Sequence, residues 1–313
     1  MHSIKMSKYF DGKSLFLEPQ VNQYGSHMVM TNVTKPSKRK YINIDTKFRD
    51  DYQLYETNSV ANFNVTLPER ITEVKNMIVC NAEIPMSFYN VSLELGNNYF
   101  KIINTATNAS AMVEIPAGNY DANGLVRSIN SAIQAKSSPY KNLSLTIANN
   151  HSVFDCSAGT LKIEFDINAD GSLDKFNFKR KLGWLLGFRN TTYTVINGIS
   201  TISENFADLT GLRYVYLVID EFGKGNQNSF LGPLPSSLVK KNILAKIMFN
   251  KTTFPFGTVI PANNFNGYLL TDRRSYTGKI DLQKLNVQLV DDVGNPVNLN
   301  GMDFSFCLEV EHE

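Results

Sequence analysis

The sequence predicts a mainly β protein: an antiparallel β-sandwich of the jelly-roll type, with one or two short helices and an extended N-terminal arm. Three observations carry this. From Phe304 to Val310 the alternation is strict, with Phe304, Phe306, Leu308 and Val310 on one side and Ser305, Cys307 and Glu309 on the other. Period two of this kind marks a strand that buries one face. Apolar runs of strand length then recur through the chain between Gly, Pro and Asn breaks, the punctuation of a sandwich or barrel. Few segments carry helical spacing.

Taken in order, residues 1–40 lack a sustained period and read as an arm, with Phe10, Leu15, Phe16 and Leu17 among Gly12, Pro19, Gly25 and Pro36. Apolar residues in such a segment are poorly suited to water, so the arm is expected to order by lying on another surface. Residues 41–313 form the predicted sandwich domain. It opens with the strand KYINID, followed by VANFNVTLP, which Pro68 is expected to close, and by ITEVKNMIVCNAEIP, closed by Pro85. NYFKIINT and AMVEIPAGNY read as a strand pair.

DANGLVRSINSAIQAK is the helix: Asp121 is a suitable N-cap, and Leu125, Ile129 and Ile133 recur every four residues on one face. LSLTIAN and TLKIEFDI return to strand, and KRKLGWLLGFR is a second short helix with Gly187 at its C-terminal end. LRYVYLVIDEF, ILAKIMFN and GYLLTD are further strands, with core packing the better reading of the aromatic first. The stretch Gly223–Ser237 is a long loop. Two antiparallel strands, Ile280–Leu289 and Phe304–Val310, close the chain as a predicted pair around the break DDVGNP.

Composition narrows the function. With 313 residues, 42% hydrophobic and 11% aromatic, the chain can bury a sizeable core and is not of disordered composition. No apolar run approaches the roughly 20 residues of a membrane helix. The opening MHSIKMSKYF lacks the apolar centre of a signal peptide, so a cytosol-like compartment is expected. Cys80, Cys156 and Cys307 are widely spaced and odd in number, which argues against a disulfide framework or a structural zinc.

The net charge of +2 divides unevenly: residues 1–40 carry +5 and the rest −3. The basic run KPSKRK, with Lys35, Lys38, Arg39 and Lys40, is the candidate partner-contact arm. It suits nucleic acid, an anionic inner membrane or an acidic protein groove, and reads equally well as a solvated linker.

Catalytic parts are scarce. Of four histidines, His2 and His312 lie at the chain ends, His27 in the arm and His151 in a turn. No Ser–His–Asp order, HExxH, GxSxG or P-loop accompanies them, so no enzymatic activity is expected. One metal-like pattern stands out. Asp166, Asn168, Asp170 and Asp174 fall at positions 1, 3, 5 and 9 of a calcium loop, with Gly171 at position 6. Position 12 is Asn177, where a bidentate Glu is wanted, and the same residues suit a polar hairpin tip. Calcium is the one cofactor the sequence raises.

Six segments in order also carry a resemblance: INIDTKFRDDY; FNVTLPERITEVKNMIVCNAEIPMSFYNV; IPAGNYDANGLVRSIN; KLGWLLGFR; LRYVYLVID; and LVDDVGNPVNLNGMDFSFCLE. From Tyr41 to Glu311 the chain resembles jelly-roll minor capsid proteins, including vertex (penton-type) proteins, of the nucleocytoplasmic large DNA viruses. The resemblance implies a virion structural component, assembled in the host cytoplasm, that contacts major capsid proteins and other minor capsid proteins. It implies a homo-pentamer if the chain is a vertex protein, and it brings no catalytic residues. From another class, a carbohydrate- or receptor-binding sandwich would present clustered exposed aromatic residues among polar neighbours.

Overall fold

A computed structural model describes residues 36–50, 59–222 and 242–313. Lys35, most of the predicted arm and the Gly223–Ser237 loop lie outside the described residues. The fold is mainly β, an antiparallel β-sandwich of jelly-roll type with two short helices, as the sequence predicts.

The first strand, β1 (Lys38–Asp45), begins inside the predicted arm. It is followed by β2 (Asn62–Pro85), a single strand of 24 residues. Pro68 does not end it. Thr66 of β2 lies opposite Lys284 and Ile71 opposite Leu282, so five steps of chain face two. Pro68 sits in this irregular stretch, where no ladder bond calls for the N–H it lacks.

A block of smaller elements comes next. It comprises β3 (Tyr99–Asn104), β4 (Ser110–Glu114), helix α1 (Ala122–Gln134), β5 (Leu143–Ala148), β6 (His151–Cys156) and β7 (Thr160–Glu164). Helix α2 (Leu182–Leu185), β8 (Thr192–Ile196) and β9 (Thr201–Phe206) complete it. The predicted β3–β4 pair is present, and Asp121 caps α1 by accepting from the Gly124 N–H at 2.6 Å. Strands β6, β8 and β9 are additions to the sequence reading. Their runs are short and broken by polar residues.

The chain then supplies β10 (Tyr214–Asp220), β11 (Ile243–Met248), β12 (Val259–Asn263), β13 (Leu269–Thr271), β14 (Arg274–Val290) and β15 (Ser305–His312). The main sheet has the order β1-β15-β2-β14-β10-β11-β13, with β12 also paired to β2. The two closing strands are therefore not neighbours, contrary to expectation, because β2 lies between them. Period two tells which side chains are buried; it carries no information about which strand lies alongside.

Among the described residues of the predicted 41–313 domain there are two large apolar cores, beside a small cluster of Val218, Ile243 and Val290. One lies in the main sheet, from Ile44 through Phe63, Met77, Val215 and Val287 to Val310. Within it, rings from two parts of the chain meet: Phe63 lies edge-on to Phe304, with centroids 6.1 Å apart. The other is built from the β4-β3-β7-β8 sheet, the β5-β6-β9 sheet and α1. Leu125, Ile129 and Ile133 are fully buried there, so the helix seals this second core with the face its spacing predicts. At the end of α2, Gly187 has φ +94°, and a Cβ at that position would collide with the Asn205 carbonyl. Only glycine satisfies both conditions.

The last strand offers a direct test. Leu308 is wholly buried opposite Val79 and Ile42. Leu308→Ala is expected to cost about 2–5 kcal/mol for the cavity it leaves. Leu308→Asp, with a carboxylate in the same place, is expected to leave no cooperative unfolding transition. Urea denaturation followed by circular dichroism measures both. A native-like midpoint for the Asp variant would mean that the face is wrongly assigned.

Candidate functional site

The sequence nominated two places, and the structure locates both. The described part of the basic run lies along the β1 edge of the main sheet. Arg39 Nε is 3.6 Å from Glu309, and Lys40 pairs with Glu69; Lys38 is exposed. The Tyr41 hydroxyl donates to Glu309 at 3.2 Å, and that carboxylate pushes the Tyr41 phenol upward. On the next strands Arg273 spans Glu309 at 3.5 Å and Glu311 at 2.9 Å, and Lys75 meets Glu313 at 3.0 Å. Arg39 and Lys40 are thus matched by carboxylates of β15 and β2, residues far away in sequence. What this edge offers a partner is a row of both signs, with each exposed pair worth little in stability.

The second place is the Asp/Asn loop. Ile167 bridges Leu173, and Gly171 takes φ +83°, so the chain reverses as a hairpin tip. Asp170 accepts from the Ser172 N–H at 2.9 Å and the Ser172 hydroxyl at 2.6 Å, folding its carboxylate back on its own turn. Asp174 is buried and faces Lys181 Nζ at 2.9 Å. It also accepts from the N–H groups of Phe176 and Asn177, both at 3.2 Å. The carboxylates of the predicted calcium loop therefore point to different partners. Among the described residues no group of three or more His, Cys, Asp or Glu stands close enough to hold a metal. The spacing of a calcium loop and that of a braced hairpin coincide here because both need oxygen acceptors around a tight Gly turn.

Other side chains with chemical potential are engaged structurally. His151 Nδ1 lies 2.9 Å from the Ser203 carbonyl, and its ring meets Phe206 edge-on at 4.8 Å. The three cysteines are free, and burial pushes the thiols of Cys80 and Cys307 upward, away from the reactive thiolate.

Sequence reasoning missed a groove along the seam between the two cores. Two adjoining cavities of about 260 and 470 Å³ share Tyr89, Leu95, Arg180, Leu212 and Asp291. Arg180 meets Asp291 at 3.0 Å, and Arg213 meets Asp208 at 2.5 Å. The basic, aromatic segment KRKLGWLLGFR was the visible part of this arrangement; the acid that meets its Arg180 is Asp291, 111 positions away, whereas Asp208 lies only five positions from Arg213. Its aromatic rings already stack: Arg189 lies 4.0 Å over Trp184, Lys246 lies 3.9 Å over Tyr214, and Tyr89 lies against Phe256 at 6.1 Å. This seam joins the two cores by paired charges.

The Asp174–Lys181 pair yields a pH prediction. Burial alone would raise the Asp174 carboxyl, but Lys181, the Phe176 N–H and Asn177 more than offset it and hold the group at about 2, below its ordinary 3.8. The depressed value contributes stability that is complete above about pH 4 and is lost as pH falls through about 2. It amounts to roughly 2 kcal/mol. Asp174→Asn is expected to remove that part of the acid sensitivity in melts between pH 4 and 2. At pH 7 it should cost about 3–5 kcal/mol, since Lys181 is left buried without its counter-charge. Parallel pH profiles for the two proteins would contradict this.

No family model matches the chain, and no curated protein matches it. Among solved structures, the chain is similar to the crystal structure of the mavirus penton protein at 11% sequence identity and a TM-score of 0.43, over 89% of this chain and 100% of that chain.

Proposed function

We propose that the chain is a structural protein of a virion, a minor capsid component that contacts major capsid proteins and neighbouring minor proteins in an icosahedral shell. The ordered resemblance of its six segments supports the class. The observation that carries the reading is the presentation of large apolar side chains to solvent on braced turns. Phe265 is 100% exposed, Phe176 91% and Phe48 78%.

These positions are not frayed ends. Phe176 follows Asp174, whose carboxylate is anchored by Lys181, and the Phe265 turn is closed by Asn263 and Asn266. Holding a phenyl ring in water on a fixed backbone forgoes hydrophobic stabilisation, which a protein neighbour restores by burying the ring. Rigid aromatic anchors of this kind dominate the energy of protein interfaces. A pentameric vertex protein, the finer alternative, would use such contacts head-to-tail until the ring closes.

The test is association with particles. In purified virions of the source virus, the chain is expected to sediment with the shell, to withstand a wash that removes loosely bound protein, and to give cross-links to other shell proteins. Recovery only from the soluble fraction of infected cells would overturn the proposal.

A further inference from the structure

The outer face of the main sheet brings together two cysteines that lie far apart in the sequence. In the register of β15 on β2, Cys307 lies opposite Asn81 and Leu308 opposite Val79. Cys80 is therefore the extra residue of a bulge, and Cys80 and Asn81 together oppose Cys307. Burial shows which way they point. Val79 and Ala82 of β2 are wholly buried, as are Phe306 and Leu308 of β15, so these four mark the inner face. Cys80, Asn81 and Cys307 are not buried. The two thiols thus share the outer face on neighbouring strands.

The spacing suits a covalent bond. Facing residues of antiparallel strands have Cα atoms about 4.5–5.5 Å apart, inside the roughly 4.4–6.8 Å that a disulfide spans. The Cys80 thiol is raised first by burial and next by the charge of Cys307, an interaction that needs the two groups to be close. Solvent reaches this face. On the far side of β15, Asn43 lies opposite Cys307 and Tyr41 opposite Glu309, and both Asn43 and Tyr41 are exposed. Cys156 gives the contrast: it is buried in the other large core, and its Sγ donates to the Ala158 carbonyl at 3.1 Å.

We propose that Cys80 and Cys307 form a disulfide that staples β2 to β15 when the chain meets an oxidising small-molecule disulfide. One cysteine, having lost its proton, attacks a sulfur of the small disulfide and releases the first small thiol. The other cysteine, also deprotonated, then displaces the second small thiol from the mixed disulfide. One protein S–S bond forms and one small S–S bond breaks. The protein is oxidised by two electrons, and these, with the two protons, leave on the two small thiols.

Only the thiolate attacks, and burial, joined at Cys307 by the Glu309 carboxylate, raises both thiols, so the first attack is slow. The pair therefore stays reduced in a cytosol-like compartment and closes under sustained oxidation. A bond between such distant residues restricts the unfolded chain over a long loop, which stabilises the folded state. The bridge needs only the folded chain, so it stands apart from the shell-protein reading.

The test uses the full chain, purified reduced and then held in oxidised glutathione. The product is unfolded, alkylated and mapped by mass spectrometry without reduction. Of the three cysteines, only Cys156 is expected to be alkylated, with Cys80 and Cys307 recovered as one linked peptide pair. Three alkylated cysteines, a lasting glutathione adduct on Cys80 or Cys307, or disulfide-linked dimers would each overturn the proposal.

As a second measurement, oxidation is expected to raise the melting temperature by at least about 5 °C, and dithiothreitol to reverse the rise. Cys80→Ser alters a partly exposed position and is expected to abolish the rise. No rise in the parent chain, or the same rise in Cys80→Ser, would also overturn the proposal.

Discussion

The main sheet depends on one constraint: β2 must keep its apolar face turned inward along 24 residues while pairing on both sides. Strict alternation alone does not achieve this. Its buried apolar residues run Phe63, Leu67, Ile71, Val74, Met77, Val79, Ala82, Ile84, and three of the steps are odd. Each odd step would flip the following residues to the wrong face unless an extra residue restores parity. The register supplies one each time. From Ile71 to Val74 the partner strand advances only from Leu282 to Ile280. From Val74 to Met77 it moves only from His312 to Val310, and from Val79 to Ala82 only from Leu308 to Phe306. Glu73, in the first step, has φ +57°. Bulges of this kind bend a strand and increase its twist. A long strand bent in this way can pair by its first part with the end of β14 and by its later part with β15 and β12.

The same bending places the buried charges. β14 starts at Arg274, whose side chain is 2% exposed and reaches Glu221 at 2.8 Å and the Ile219 carbonyl at 2.8 Å. Removing two ions from water is costly, and such a pair holds only where further hydrogen bonds complete it. Here the backbone of β10 contributes an acceptor, tying the start of β14 to the end of its neighbour. Burial, and then the Glu221 carboxylate, push the Tyr276 phenol upward.

Much of this was legible in the sequence because it depends on local period. The Phe304–Val310 alternation and the four-residue spacing of α1 report faces directly, and both faces are buried as read. What the sequence did not disclose was relational. The segment from Asn62 to Pro85 reads as two strands because its parity breaks and Pro68 look like an ending; only the partner strands show that they are bulges. The pairing of β14 with β15 was inferred from adjacency in the chain, which β2 interrupts. At the candidate sites the same limit applies. Lys40 and Arg39 are visible as a basic run, but their carboxylate partners lie 29 and 270 positions away. The Asp166–Asp174 spacing fits two geometries, and Lys181 settles the direction of Asp174.

The surface divides along the same lines. At the β1 edge, opposite charges alternate across strands, so a partner gains little affinity there but must match the pattern of signs to avoid a like-charge penalty. Around β12 and β13 exposed apolar residues stand beside charges of both signs, with Glu83 opposite Pro261 and Lys246 opposite Leu270, so burying that apolar area contributes affinity only to a partner that also answers those charges.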